Sequence, residues 1–364
     1  MANDAKAPTT NPVGGTLSIE MSKPTAVSRS RGHHWFPHTM FHIAGGDIIL
    51  GFSICRDWWD EDLTEGILHA LLQSMDQGAN WFLLKRVRHG LNDPWPSCQL
   101  ADGSILGIMG ALLDQSGQPY ILEWRSRDGI KSWEGPRRAP LLLPDGLLQP
   151  FSGSTPGRTK ANLIVFGIIE LDDGRTLLTG SGAFRGDTVD RVILFETADR
   201  GASWSYLSSI TDPSPEPKDF CEPSFLRLPD GGILCVMRTT TSTTNTPMYQ
   251  CKSNDDGRTW STLTAMSVTG VAPQLRLMSH GVIALSHGRV INPPSLGNQI
   301  IFSLDDGESW SDPTVIYHGA STGYTSMVEI NPGRLLVAYD EQAFAWTEDW
   351  QNTINTVTIN VERN

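Results

Sequence analysis

Apolar runs, each opened by a turn glycine, recur along the whole chain: GGDIILGF (45–52), ADGSILGIM (101–109), DDGRTLLTG (172–180), PDGGILCVM (229–237), SHGVIALSH (279–287) and NPGRLLVAY (331–339). Asp-Gly and Asn-Pro-Gly between β-prone runs are hairpin signals, because glycine accepts the positive φ of a tight turn. Six hairpins are therefore expected. A second pattern runs in phase with them: SMDQGANW (74–81), TADRGASW (197–204), SNDDGRTW (253–260) and SLDDGESW (303–310), with a degenerate copy SRDGIKSW (126–133) whose glycine is shifted by one. The aspartates of these octets, Asp76, Asp128, Asp199, Asp255 and Asp305, lie 52, 71, 56 and 50 residues apart, a period long enough for a four-stranded unit.

Each unit then reads as strand A, hairpin turn, strand B, a loop, strand C, the octet and strand D. Four strands cannot bury both faces of their own sheet, so the expectation is an all-β, six-bladed β-propeller with four-stranded antiparallel blades. The sixth unit lacks an octet. Its tail NTVTINVE (355–362) and the N-terminal GTLSIEMS (15–22) both read as strands, which predicts one propeller domain over 15–364, closed by pairing of the two termini, after a flexible segment 1–14. Within the octet, Ser and Asp oxygens suit the backbone N–H groups of a turn, and each copy offers too few oxygens for a calcium loop. The octet is read as architecture, with a metal or carboxylate site as the rival.

Composition narrows the partners. With 40 Asp and Glu against 28 Lys and Arg, a formal charge of −12, the chain carries no basic footprint for nucleic acid or an anionic membrane surface. Five widely spaced cysteines without CxxC spacing read as free thiols, and nine histidines without HxH or HExxH spacing suggest no metal; no cofactor is expected. The start MANDAKAPTTNPVGG lacks the regions of a secretory signal, and no apolar run approaches the ~18 residues of a membrane span, so a cytoplasmic protein is expected.

In such a blade, strand A begins and strand B ends at one face, beside the central channel. With each hairpin glycine as a ruler, Glu222 lies nine residues before Gly231 and Tyr324 nine before Gly333. After strand B come Arg56, ten past Gly46, Arg185, eleven past Gly174, Arg238, seven past Gly231, and Arg289, eight past Gly281. Four guanidiniums at one face suit an anionic or hydroxyl-rich ligand. The plainer alternatives are solvated arginines at strand ends, a Glu222 that holds a neighbouring arginine, and a Tyr324 that packs as a core aromatic.

The octets, with EPSFLRLPDGGILCVMR (222–238) and GYTSMVEINPGRLLVAYDE (323–341), resemble the sialidase (neuraminidase) superfamily of Asp-box, or BNR-repeat, propellers. That resemblance implies a retaining, exo-acting glycoside hydrolase in which Tyr324 is the nucleophile, Glu222 takes its proton and Arg238 binds substrate. A tyrosine with pKa near 10 needs such a base, and sialidases are the known exception to the two-carboxylate scheme. The family's aspartic acid/base falls in the loop RDWWDEDLTEG (56–66), where Asp62 is preferred over Asp60 and Asp57.

Departures from the pattern point away from sialic acid. In HHWFPHT (33–39) Trp35 stands where the family has its first arginine, and INPPSLGNQIIFS (291–303) lacks the third, leaving Arg289 as a substitute from another position. Trp35, Phe36, Trp58, Trp59 and Trp95 make the same region aromatic, fit to stack on a sugar ring or hold an apolar ligand. Three functions follow: hydrolysis of a glycan or small glycoside other than a sialoside, a repurposed pocket performing elimination or cyclisation on another small molecule, or a carbohydrate-binding propeller without catalysis.

Overall fold

The computed structural model describes residues 9–10, 16–31, 34–55, 68–88, 97–143, 163–212, 218–239, 246–289, 297–342 and 351–364. Among them the regular elements are all strands, and no helix is long and apolar enough to cross a membrane, which says nothing of strands. The chain divides into two compact units, Met1–His42 with Gly46–Arg86 and Gly270–Asn364, and Ile43–Gly45 with Val87–Thr269.

Each unit contains three antiparallel meanders. In the second unit they are Ser97–Gln99, Ile105–Leu113, Pro119–Ser126 and Glu134–Leu142; Leu163–Glu170, Thr176–Gly182, Arg191–Thr197 and Trp204–Ser209; and Phe220–Arg227, Ile233–Thr239, Pro247–Ser253 and Thr264–Thr269. A short parallel bridge, Leu141 to Trp204 and Leu142 to Ser205, joins the first two of these. The first unit holds His34–His42, Ile48–Cys55, Leu68–Ser74 and Phe82–Arg88, then Val271–Leu277, Ile283–Gly288, Asn298–Ser303 and Thr314–Tyr317. Its third meander runs Thr325–Asn331, Arg334–Glu341 and Gln351–Arg363, and is completed from the N-terminus. Thr16–Met21 pairs with one end of the long last strand (Leu17 opposite Arg363) and Thr25–Arg31 with the other (Gln351 opposite Arg31).

The second strand of a meander is covered on both faces. All seven residues of Thr176–Gly182 and all six of Ile283–Gly288 are buried, which is why these stretches read as continuous apolar runs rather than alternating ones. Cores form between successive meanders within a unit. Leu177, Val192 and Leu194 pack with Ile233, Cys235 and Cys251 in the second unit, and Ala284, Ile300 and Phe302 with Leu335, Val337 and Tyr339 in the first. Such face-to-face stacking gives each sheet the partner it needs. Cys98, Cys221, Cys235 and Cys251 are free thiols.

The octets build turns. In every full copy the Ser or Thr hydroxyl accepts the glycine N–H at 2.8 Å, from Gly78 to Ser74, Gly201 to Thr197, Gly257 to Ser253 and Gly307 to Ser303. The aspartate oxygens take the N–H and side chain four residues on, as Asp255 does from Thr259 at 2.8 and 2.7 Å, and these bonds hold its carboxyl below the ordinary range. Those carboxylates are satisfied within their own turns. Among the described residues no group of three His, Cys, Asp or Glu side chains converges for a metal.

The degenerate copy has a physical account. Full copies place two consecutive residues at positive φ, such as Asp256 at 56° and Gly257 at 84°; the degenerate one uses Gly129 at 69° and Ile130 at 67°. The backbone is conserved while glycine occupies the first position and a β-branched residue, rarely found there, the second. Glycine at that second position normally rests on a neighbouring meander: a Cβ on Gly78 would lie 2.5 Å from Leu336, on Gly257 2.2 Å from Leu194, and on Gly201 2.0 Å from the Glu123 carboxylate.

Glu123 therefore occupies a place that leucine fills beside Gly78 and Gly257. It is 2% exposed, its Oε1 accepts from Arg137 at 2.6 Å, and burial raises its pKa. A buried ion pair is seldom as stabilising as apolar packing of the same volume, and half-exposed Arg137 can rehydrate. Glu123→Leu is expected to stabilise the protein by about 1 kcal/mol, read from the urea midpoint at unchanged m-value.

Candidate active site

In the second unit, Glu222 sits in a bulge of the strand Phe220–Arg227, where the ladder to Ile233–Thr239 slips between Cys221 and Ser224. Its φ is 51°, a left-handed conformation uncommon for a side chain of this size. Ala272, nine residues before Gly281, has φ 49° in the equivalent bulge of Val271–Leu277. The conformation thus recurs in a second meander, and what distinguishes Glu222 is its side chain. That carboxylate is largely buried and forked by one guanidinium: Arg238 Nε donates to Oε2 at 2.5 Å and Nη2 to Oε1 at 2.8 Å, while Nη1 donates to the Thr239 carbonyl at 3.2 Å. The plainer sequence reading of Glu222, a holder of a neighbouring arginine, describes this contact. Arg185 stands in the exposed turn Phe184–Asp187 and makes no ion pair among the described residues.

Tyr324 belongs to the first unit. It directly precedes the strand Thr325–Asn331 and is partly buried, outside the fully buried core. Phe36, 8% exposed, meets it edge to face with ring centroids 5.4 Å apart and planes at 89°, a favoured aromatic arrangement that fixes the phenol's tilt. The residue before it, Gly323, has φ 87° and lies against Gly288, where an added Cβ would come 2.5 Å from the Gly323 Cα. Side chains at either position would push the two backbones apart. Their contact joins the end of the strand Ile283–Gly288 to the residue before Tyr324. Arg289 is partly buried, and its Nη1 donates to His318 Nδ1 at 3.4 Å.

Two further buried ionisable groups lie near this corner. Asp340, fully buried, is discussed below. His287, also fully buried, has Nδ1 3.0 Å from the Gly288 carbonyl and Nε2 3.2 Å from Gln299 Nε2, partners that assign the proton to Nδ1. Burial lowers its pKa from 6.5 to about 4. Because the folded pKa is depressed, the unfolded chain binds the proton first, and stability falls as pH drops from 6.5 towards 4. Compared with His287→Gln, the wild type is expected to lose about 3 kcal/mol more across that window, measured by urea unfolding at several pH values.

Arg56, Asp57, Asp60, Asp62, Trp58, Trp59 and Trp95 lie outside the described residues. Trp35 is placed only by its backbone, opposite Ile54 in the first meander. Sequence reasoning missed Asp340 and the Gly288–Gly323 approach. The signal was present, an acid closing the apolar run RLLVAYDE, but such a residue reads as a strand end. In the second unit, a cleft of about 330 Å³ over Glu123 is lined by four arginines and three acids. These charges largely meet one another, with Arg137 on Glu123 at 2.6 Å and Arg127 on Glu134 at 3.4 Å.

Repeated octet turns between stacked four-stranded meanders define an all-β Asp-box protein of sialidase-like fold. Residues 108–337, more than half of the chain, match the BNR repeat-like domain, and the chain belongs to that family. Among solved structures it is similar to a Dyadobacter fermentans protein of unknown function (19% identity, 94% of this chain and 99% of that one, TM-score 0.73). It is also similar to the NanB sialidase of Streptococcus pneumoniae (13%, 93% and 70%, TM-score 0.64). A third similar structure is a Penicillium chrysogenum α-L-arabinanase complexed with arabinobiose (14%, 93% and 98%, TM-score 0.63). At these identities the likeness establishes the fold alone. No curated protein matches the chain.

Proposed function

We propose that the protein is a retaining, exo-acting glycoside hydrolase built as a closed six-bladed propeller, with a substrate other than a sialoside. The observation that carries this reading is Tyr324 itself, partly buried just ahead of its strand, met edge to face by Phe36 and preceded by the Gly288–Gly323 contact. In the proposed reaction the Tyr324 oxygen attacks the anomeric carbon, Glu222 takes the phenolic proton, and an aspartate of the 56–66 loop, Asp62 ahead of Asp60 and Asp57, protonates the departing oxygen. Water then releases the sugar by the reverse proton transfers. Arg238, Arg289, Arg56 and Arg185 would bind the substrate's oxygens, with Trp35 and Trp95 against its ring. Neither cofactor nor metal enters these steps.

Trp35 in place of an arginine argues against a carboxylate at the first subsite, since a buried carboxylate without its donors is costly. The solved structures of similar fold include a sialidase and an arabinanase, so the test is a panel of 4-nitrophenyl glycosides that includes the α-sialoside and the α-L-arabinofuranoside. Turnover of a neutral glycoside, reduced by on the order of 10³-fold in Tyr324→Phe, is expected. Turnover that survives this substitution removes the tyrosine mechanism.

One observation favours a second reading. The Glu222 carboxylate is held by both Nε and Nη2 of Arg238, a pair that binds a fixed charge more naturally than it exchanges a proton. Under that reading the pocket binds, or transforms by elimination or cyclisation, another small molecule, or the protein is a carbohydrate-binding propeller without catalysis. Saturable binding of a saccharide without turnover of any aryl glycoside is its expected signature.

A further inference from the structure

Asp340 is completely buried at the end of the strand Arg334–Glu341, and among the described residues it has no cationic partner. Apolar packing or an amide would be the less costly occupant of such a place, since a buried carboxylate must be met by donors. Three donors meet it. Its Oδ2 accepts from the Thr322 N–H at 2.9 Å and from Gln342 Nε2 at 2.8 Å, and its Oδ1 from the Thr322 hydroxyl at 2.8 Å. Despite these bonds, burial raises its pKa to about 7.

Two of these contacts hold one segment through Thr322. Residues 320–323 form the turn that leads into Tyr324, and the Gln342 N–H also donates to the Ala320 carbonyl at 2.8 Å. The Thr322 hydroxyl that donates to Asp340 lies 3.4 Å from the Tyr324 N–H, which donates back to it. In the strand ladder Thr325 faces Tyr339, so Tyr324 and Asp340 are the next positions outward on the two strands. From the opposite side Gly323 is pressed on Gly288. The turn is therefore held by a carboxylate and by a glycine contact, and Tyr324 beyond it is partly buried.

We propose that Asp340 is a positioning residue that fixes the turn 320–323 and so sets the reach of the Tyr324 phenol, an inference that rests on the reading of Tyr324 as nucleophile. Asp340 is too buried to touch substrate; it acts through Thr322. Loss of the grip lets the turn shift, and a misplacement of about 1 Å at a reacting atom costs on the order of 10²-fold in rate.

The experiment compares wild type, Asp340→Asn and Asp340→Leu. Asparagine keeps the shape and part of the hydrogen bonding; leucine removes all of it. Amide hydrogen exchange of Thr322, Gly323 and Tyr324 is expected to quicken by about 10-fold in the first and about 100-fold in the second, while exchange in the strand Ile233–Thr239 is unchanged. With the glycoside that the wild type hydrolyses, kcat is expected to fall by about 10-fold and about 100-fold, with KM within about twofold, a split that general loosening of the fold does not produce. Unchanged protection of the three amides, or unchanged kcat, overturns the proposal. Should Asp340→Leu fail to fold, Asp340→Asn alone decides by the same two criteria. If the wild type hydrolyses no glycoside, the hydrolytic reading fails by itself, and hydrogen exchange still decides whether Asp340 holds the turn.

Discussion

Glu222→Gln is expected to lower kcat on the preferred aryl glycoside by about 10²–10⁴-fold, the usual contribution of a positioned base, with a smaller loss of stability than Glu222→Ala. The asymmetry comes from the fork. A glutamine Oε1 still accepts one hydrogen bond from Arg238, whose donor contacts include the Thr239 carbonyl, whereas its NH2 faces the Arg238 Nε donor, so one arm of the fork is kept, the other is lost and the proton acceptor is gone. Glu222→Ala goes further and strands a guanidinium whose side chain is only 20% exposed, with an expected stability cost of about 1–2 kcal/mol. Steady-state kinetics with urea unfolding of both variants separates base from holder. Equal rates in wild type and Glu222→Gln leave the residue a holder of Arg238, which is the arrangement the second reading requires.

The largest structural effect is expected at an octet glycine. Gly257→Ala forces alanine to adopt a φ of 84° and drives its Cβ to 2.2 Å from Leu194 Cδ2. Leu194 is fully buried in the core between two meanders, so the collision cannot be relieved by a turn of the side chain into solvent. Left-handed strain of about 1–2 kcal/mol and overpacking of about 1–3 kcal/mol sum to a loss of about 2–5 kcal/mol. Gly174→Ala is the control: φ is also 84° there, yet nothing lies within 4 Å of the added Cβ. It should cost only the strain. Denaturant unfolding of both variants gives the difference, and equal losses would mean that the octet glycine is needed for its backbone alone.

Strand order, turn chemistry and the buried second strand of each meander were legible because they are local. Residues in PDGGILCVM or SHGVIALSH carry both the glycine of the turn and the unbroken apolar run that burial on two faces demands. Counting from the turn glycine worked less evenly at the site. It brought Glu222 to a bulge residue, because a bulge adds a residue that no count anticipates, whereas Tyr324 lies just ahead of an unbulged strand end.

By itself the sequence determined the repeated meanders, their octet turns and the tyrosine, glutamate and arginines offered for chemistry, since each depends on residues near one another along the chain. Only the tertiary structure decided that Arg238 forks Glu222, that Gly288 meets Gly323, and that Asp340 grips the turn before Tyr324. Those are choices among partners distant in sequence, and hydrogen bonds and close backbone contacts leave no periodic trace by which to foresee them.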